Sequence, residues 1–289
     1  MVGAFAQAAG VPEILAATPC GPDGKVNPNL LYALVQAGAT EILKVGGAQA
    51  IAAMAYGTDT IAPVDKIFGP GNAFVVEAKR QVVGATAIDL LPGPSEVLVI
   101  ADDSANPAFV AADLLAQAEH GGDSEIAFFS PSMALVEKVQ QEIAKQLQSL
   151  SRASYIEEVL QNNTEVVITS SLDEAVELCN LYAPEHLSLI VEDAVEEKTV
   201  AQVKTAGAIF VGNFSPVAVG DFVAGPSHTL PTGGAGKSFS GLRADQFQRR
   251  TSIVKCSPEA ATASIPFTDA FAKVEGLDAH GASVSIRKS

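Results

Sequence analysis

Short apolar runs that alternate with segments of helical spacing are the feature that most constrains this chain. Residues 41–45, 66–68 and 97–101 have the length and composition of buried strands, and helical patterns separate them. A helix between two strands returns the chain to its starting edge, so successive strands run parallel. Because parallel sheets are covered by helices on both faces, the pattern predicts an α/β fold.

Breaks in this alternation predict how the chain divides. Gly-Pro-Gly-Asn at residues 69–72 is a turn, and Leu-Pro-Gly-Pro at residues 91–94 separates two stretches of the same pattern. We therefore predict two Rossmann-like α/β/α units, residues 1–93 and 94–242, followed by a small C-terminal helical tail, residues 243–289, that ends in a polar strand. The predicted helices span residues 28–38, 48–56, 73–83, 107–120, 133–147, 172–182 and 195–206, and the predicted strands span residues 41–45, 66–68, 97–101, 125–129, 165–169, 187–191 and 208–211.

Charge and composition exclude several classes of protein. The chain has 18 basic and 33 acidic residues, a net charge of −15, which disfavours nucleic acid and favours small, cationic partners. No apolar run approaches the ~20 residues that cross a bilayer, and the N-terminus does not resemble a secretory signal. Cys20, Cys179 and Cys256 are too few and too widely spaced for a disulfide framework or a paired-cysteine zinc site. These features predict a soluble protein without a membrane span, located in the cytoplasm.

Two pairs of residues could carry chemistry from regular elements. Gln117 and His120 are three residues apart, which would place them on one face of a helix, as two ligands of one ion require. Alternatively, His120 interacts with the negative end of the helix dipole. Glu185 and His186 follow Pro184 at the head of a strand, where an acid and a base could share one site. This pair precedes its strand, whereas open α/β sheets usually bind ligands at the carboxyl ends, and a surface Glu-His pair is the alternative.

Two further pairs lie in less regular sequence. Asp221 and His228 belong to residues 213–241, a stretch rich in Gly, Pro, Ser and Thr. It is too long to be a simple connecting loop, and loops of this length are usually functional. Asp221 and His228 could bind a metal, or Asp221 could cap a turn. Glu275 and His280 lie near the C-terminus, where a solvated tail is the alternative.

Two nucleotide-binding patterns are incomplete. Residues 233–238 read Gly-Gly-Ala-Gly-Lys-Ser, like the end of a P-loop, but Pro231 occupies the position of the first required glycine. The turn at residues 69–72 lacks the third glycine of a dinucleotide fingerprint. A dinucleotide would therefore have to bind in another way.

Taken together, the motifs resemble those of the histidinol dehydrogenase family. The segments that carry the resemblance run through nearly the whole chain in order: VGGAQA at residues 45–50, VDK at 64–66, GPGN at 69–72, GPSEVL at 93–98, QAEH at 117–120, APEHL at 183–187, GD at 220–221, SHTLP at 227–231 and EGLDAH at 275–280.

The resemblance implies an enzyme that contains zinc and oxidises L-histidinol to L-histidine with two NAD, through an aldehyde, in the last step of histidine biosynthesis. It implies that Gln117, His120, Asp221 and His280 bind the metal, a donor set that suits Zn²⁺. It also implies acid/base roles for two residues: His186 would take the alcohol proton, and Glu185 would activate water.

Further positions match family residues that bind substrate or cofactor. The resemblance implies substrate contacts for Ser95 and Glu275, and also for His186 and the four metal ligands. It implies NAD contacts for Gln49 and Asn72. The family is a homodimer, so the C-terminal tail would complete the partner's site in trans.

Family members carry a long segment ahead of the point that matches Met1. We therefore expect the first α/β unit, and part of the second, to be incomplete at the N-terminus, which weakens the NAD side most. Two other functions remain open: a truncated, non-catalytic homologue that binds zinc and histidinol, and a relative that oxidises another alcohol such as a sulfonate diol.

Overall fold

A computed structural model describes residues 1–288 and divides the chain into two compact units, Met1–Gln248 and Arg249–Ser289. The helices of the first unit are α1 (Val2–Ala8), α2 (Pro28–Gln36), α3 (Ala48–Tyr56), α4 (Ala73–Val82), α5 (Pro107–Ala118), α6 (Met133–Leu147), α7 (Ala153–Asn162), α8 (Leu172–Tyr182), α9 (Asp193–Gln202) and α10 (Val217–Phe222). Its strands are β1 (Leu15–Ala17), β2 (Glu41–Leu43), β3 (Lys66–Ile67), β4 (Ala87–Ile88), β5 (Glu96–Ala101), β6 (Glu125–Ser130), β7 (Thr164–Ile168), β8 (His186–Ile190) and β9 (Ala208–Val211).

All the strand pairs named here are parallel, which confirms the predicted α/β class. The largest sheet has five strands in the order β7-β6-β5-β8-β9, and β1-β2 and β3-β4 form separate two-stranded sheets. Numbered from β5, the large sheet has the order 3-2-1-4-5, which matches the first five strands of the Rossmann order. The division at residue 93 stays a prediction.

Alternating side chains of the large sheet build two apolar cores. Val97 and Val99 of β5 pack with α5, α6 and α7, whereas Leu98 and Ile100 pack with α8 and α9 on the other face. All five strand residues from Val97 to Ala101 are at most 1% exposed, so this strand is buried on both faces as a central parallel strand must be. The same alternation in β8 turns Leu187 and Leu189 toward α8, and His186 and Ser188 toward α5.

The second unit is helical. It contains α11 (Pro258–Glu275), which begins after the N-cap Ser257 and ends at Gly276 in the left-handed conformation, and α12 (Asp278–Ser285), which packs on α11. The predicted helical tail is therefore confirmed, but the predicted terminal polar strand is wrong, because that part of the tail forms α12. The polar–apolar–polar alternation over Ser283, Val284 and Ser285 is typical of a strand. The packing of α12 on α11 nevertheless favours a helix there.

Three other differences from the sequence-based interpretation concern missing elements. The region of residues 213–241 is not wholly irregular, because it contains α10 and a 3-10 turn at Ala235–Lys237. Helix α7 carries a clear apolar face, with Ile156 and Val159 buried, and it was detectable from its spacing. Helix α1 and strands β1 and β4 are too short to give a strong periodic signal. Among residues 1–288, no helix combines the length and the apolar character needed to cross a membrane.

A buried acid between α5 and β8 leads to a testable pH dependence. Asp113 accepts a hydrogen bond from the Ser188 hydroxyl at 3.0 Å, and burial raises the pKa of Asp113 from 3.8 to about 6. The folded state therefore holds this proton more tightly than the unfolded state. Its contribution to stability is fully present below pH 3.8 and is lost as the pH rises through about 6.

We expect Asp113→Asn to raise the free energy of unfolding above pH 7, by up to about 3 kcal/mol from a shift of about two pKa units. The amide stays neutral and can still accept from Ser188, so the gain should vanish near pH 4. Urea unfolding at both pH values measures the effect, with the exposed Asp59→Asn as control. An equal effect of Asp113→Asn at pH 4 and pH 8 would contradict this explanation.

Candidate active site

The candidate residues of the first unit converge on the amino edge of the large sheet. Glu96 begins β5 and His186 begins β8, and these two strands are neighbours in the sheet. Helix α5 follows β5 and runs back across the sheet, because β6 is parallel to β5. Gln117, near the end of α5, therefore returns to the same edge. Glu185 and His186 thus lie at the amino edge, whereas open α/β sheets usually bind ligands at the carboxyl edge.

A local break in the chain presents Glu185 and His186 together. Ala183 ends α8 in the left-handed conformation, with φ of 60°, and it is the only non-glycine residue among residues 1–288 with positive φ. A left-handed alanine costs about 1 kcal/mol and persists only where packing enforces it. Pro184 and Glu185 are then held by their carbonyl groups, which accept hydrogen bonds from Gly207 N and Ala208 N at 2.9 Å each.

Glu185 is a buried acid with an unusual proton affinity. Its side chain is 7% exposed, and its Oε2 accepts a hydrogen bond from Glu96 N at 3.0 Å. Burial, followed by the negative charges of Glu96 and Asp221, raises the pKa of Glu185 to about 8, against the hydrogen bonds from Glu96 N and the Ser95 hydroxyl. Glu185 can therefore gain and lose a proton near neutral pH.

His186 is held as a neutral base. Its Nδ1 lies 3.0 Å from the Glu96 carbonyl oxygen, which can only accept, so Nδ1 carries the proton. Burial lowers the pKa of His186, which keeps the ring neutral at pH 7. Nε2 is buried, has no hydrogen-bond partner among residues 1–288, and lies 4.0 Å from Asp221 Oδ1. A free lone pair is thus directed toward Asp221.

Close packing brings Asp221 to this position. Asp221 belongs to α10, and the preceding residue, Gly220, is buried against the Phe210 ring of β9. A Cβ atom at residue 220 would lie 2.4 Å from that ring, so only glycine lets α10 approach this closely. The Phe210 ring also lies 6.0 Å from the His186 ring, between their centroids.

Gln117 and His120 stand at the end of α5, but not as two members of one helical face. The prediction that the helix continues to His120 is wrong, because α5 ends at Ala118 and His120 lies in the following turn, where its N–H donates to the Gln117 carbonyl at 3.1 Å. Gln117 is 4% exposed, and its Nε2 has no hydrogen-bond partner in the described part of the chain. A buried N–H donor without a partner is costly, so an acceptor from outside the chain, such as water or a substrate oxygen, would satisfy Gln117 Nε2.

Electrostatics place two exposed histidines in the same neighbourhood. The charges of His120 and His228 both lower the pKa of His186, after the larger effect of burial. The family resemblance implied no role for His228, which spacing had left as a possible metal ligand, and Glu96 was not a candidate. His228 was recognisable only as a histidine in the Gly/Pro-rich segment, and Glu96 as one charge at the head of an apolar strand.

A cation would fit part of the predicted ligand set. Gln117, His120 and Asp221 offer an amide oxygen, an imidazole and a carboxylate, which are donors that suit Zn²⁺. Within residues 1–288, no group of three or more His, Cys, Asp or Glu side chains is placed to hold a metal. His280, the fourth predicted ligand, and Glu275 belong to the second unit, where both are exposed.

The predicted NAD contacts lie elsewhere in the first unit, at the starts of two helices that pack together. Gln49 is in the first turn of α3, and Asn72 caps α4 by accepting from Val75 N at 3.2 Å. A buried ion pair of Lys79 with Asp89 stabilises the turn before Asn72. Lys79 Nζ donates to the Gly69 carbonyl at 2.8 Å, and Asp89 Oδ2 accepts from Gly69 N at 2.7 Å.

Comparisons with known proteins identify the family. The family model for histidinol dehydrogenase matches residues 1–288. Curated histidinol dehydrogenases from Heliobacterium mobile and Deinococcus radiodurans are 46% and 49% identical to this chain, each over 98% of its length. The chain spans 66% and 64% of the length of these two relatives. A crystal structure of histidinol dehydrogenase from Elizabethkingia anophelis is 41% identical and superposes with a TM-score of 0.94, covering 99% of this chain and 66% of that one. This chain belongs to the histidinol dehydrogenase family.

Proposed function

We propose that this chain provides the acid/base residues and most of the metal ligands of a zinc- and NAD-dependent histidinol dehydrogenase. The reaction is the oxidation of L-histidinol to L-histidine through L-histidinaldehyde, and we place it in the cytoplasm. The observation that carries the proposal is the buried Glu185–His186 pair, in which the Nε2 atom of His186 has no hydrogen-bond partner in the described part of the chain and lies 4.0 Å from Asp221 Oδ1.

In the first half-reaction His186 acts as the base. As a hydride leaves the carbinol carbon of histidinol, the hydroxyl proton moves to His186 Nε2 and the C–O bond becomes a carbonyl. The Glu96 carbonyl, 3.0 Å from Nδ1, stabilises the imidazolium that forms. A base with a lowered pKa returns this proton readily, so His186 is reset for the next step.

In the second half-reaction Glu185 acts on water. The carboxylate removes one proton as the water oxygen bonds to the aldehyde carbon, and the hydrate then loses a second hydride to become the acid. With a pKa of about 8, Glu185 is mostly protonated at pH 7, so this step should accelerate as the pH rises toward 8. Ser95 donates a hydrogen bond to Glu185, and it orients this carboxyl group.

The proposed cofactors would supply a Lewis acid and a hydride acceptor, which these side chains cannot provide. Zn²⁺, held by Gln117, His120, Asp221 and His280, would polarise the substrate oxygen as a Lewis acid. Two NAD molecules, contacted in turn by Gln49 and Asn72, would each accept one hydride. We further propose a homodimer in which Glu275 of the tail contacts the substrate amine and His280 binds the partner's metal. Repulsion of anions by a chain with net charge −15 agrees with an amine substrate.

Turnover of the chain itself tests the proposal. Zinc-loaded protein, incubated with L-histidinol and NAD, should produce two NADH per histidinol consumed, followed by absorbance. Calorimetric binding of histidinol without NADH would identify a non-catalytic homologue instead. Faster oxidation of an anionic sulfonate diol than of histidinol would overturn the assignment of the substrate.

A further inference from the structure

Glu96 makes four hydrogen bonds that together connect three separate segments of the chain. Its Oε2 accepts from Glu185 N at 3.2 Å, and its Oε1 accepts from Gly233 N at 2.6 Å. In return, Glu96 N donates to Glu185 Oε2 at 3.0 Å, and the Glu96 carbonyl accepts from His186 Nδ1 at 3.0 Å. The start of β5, the Glu185–His186 segment and the glycine-rich segment at Gly233 are therefore fixed to one residue.

The burial of Glu96 is costly, so we expect this acid to have a structural or functional role. Glu96 is 3% exposed and begins a strand whose other residues are all apolar. An ionised group in such a place costs several kcal/mol unless hydrogen bonds compensate for the lost water. A valine would continue the strand at no such cost. The two backbone N–H groups that Glu96 satisfies are thus the reason for a carboxylate at this position.

We propose that Glu96 is a positioning residue for the reaction: its carboxylate fixes the separation between the Glu185–His186 pair and the glycine-rich segment, while its carbonyl orients the His186 ring. Both carboxylate oxygens are occupied by backbone N–H groups, so Glu96 acts through other residues and does not touch the substrate. Thr232, next to Gly233, strengthens the same connection, because its hydroxyl accepts from Gly93 N. This proposal rests on the proposed function of Glu185 and His186.

Glu96→Gln tests the proposal with little change of shape. The amide has one acceptor oxygen, so Glu185 N and Gly233 N must compete for it and each is hydrogen-bonded for only part of the time. We expect kcat for histidinol to fall about 100-fold, as for a misplacement of about 1 Å, with KM changed less than about threefold. Amide hydrogen exchange at Glu185 and Gly233 should accelerate, which reports the lost bonds without any turnover.

Glu125→Gln is the matched control. Glu125 lies opposite Glu96 in the register of β5 and β6, at the same edge of the sheet. It is exposed, and among residues 1–288 its carboxylate accepts only from the Tyr182 hydroxyl, at 3.0 Å. This control removes one negative charge beside the site and should leave kcat and both amide exchange rates unchanged. A loss of activity in Glu125→Gln equal to that in Glu96→Gln would overturn the proposal in favour of a general charge effect.

Glu96→Asp distinguishes the effect of side-chain length from the effect of charge. It is also the second variant to use if Glu96→Gln does not fold. Aspartate keeps the charge but is one methylene shorter, so it cannot reach both N–H groups, and kcat should again fall. Full activity of Glu96→Asp would overturn the positioning role. If the unaltered chain shows no turnover, the proposed function fails by itself. The exchange rates then decide: faster exchange at both amides in Glu96→Gln supports positioning, and unchanged exchange overturns it.

Discussion

Replacement of His186 by Ala is expected to lower kcat for histidinol oxidation by about 10²- to 10⁴-fold, the usual contribution of a general base. The Nε2 atom of His186 is available as the base, because Nδ1 donates to the Glu96 carbonyl and Nε2 has no partner among residues 1–288. NADH formation from histidinol measures the loss. Bound zinc should persist, because His186 is not among the proposed ligands.

Glu185→Gln should separate the two half-reactions. The amide keeps the size of the side chain and can still accept from Glu96 N, but it cannot take a proton from water. We expect oxidation of supplied histidinaldehyde to fall at least 10²-fold while its formation from histidinol is less affected. Glu177→Gln, on the exposed face of α8, is the control. Equal losses in both half-reactions, or loss of zinc from Glu185→Gln, would contradict the assigned role.

Loss of a proposed metal ligand should also have a large effect on activity. We expect His120→Ala to lose bound zinc and activity together, since removal of one imidazole from a four-ligand site weakens zinc by orders of magnitude. Zinc per chain, measured by atomic absorption after dialysis, is the readout. Glu119→Ala is the control, because Glu119 is the adjacent exposed residue. Full zinc content in His120→Ala would mean that the ligand set is wrong.

The same variants test whether the tail acts in trans. His280→Ala should be as inactive as His120→Ala, because each lacks one ligand. In a mixed dimer with tails acting in trans, one site receives both changes and the other receives none. A random mixture should then recover about a quarter of the normal activity. If each tail serves its own subunit, no mixture regains activity.

The order of the sheet could be anticipated from the sequence, because strand and helix alternate from residue 97 to residue 211 and parallel crossovers leave few arrangements. The location of the site could not. The general preference for carboxyl ends of strands pointed away from Glu185 and His186, and only the left-handed Ala183 and the return of α5 bring the candidate residues together at the amino edge. Family motifs supplied residue identities that spacing alone left open, such as Gln117 rather than Glu119.

Contacts between distant segments were the least predictable part. Glu96 and Glu185 are 89 positions apart, and the local sequence of neither residue predicts their reciprocal hydrogen bonds. Asp221 was visible as a candidate, but not the helix that carries it, because α10 has only six residues and contains a glycine. In the same way the end of α5 at Ala118, two residues before His120, is set by the turn that follows and not by helix propensity.

The contact between Phe210 and Gly220 has a consequence for how this family diverges. A methyl group at residue 220 would stand 2.4 Å from the ring, so the two positions share one volume and cannot vary independently. A lineage that acquires alanine at residue 220 would first have to lose the ring at residue 210. The position of Asp221, which follows residue 220, therefore depends on the size of the side chain at residue 210, and changes at residues 210 and 220 should occur together.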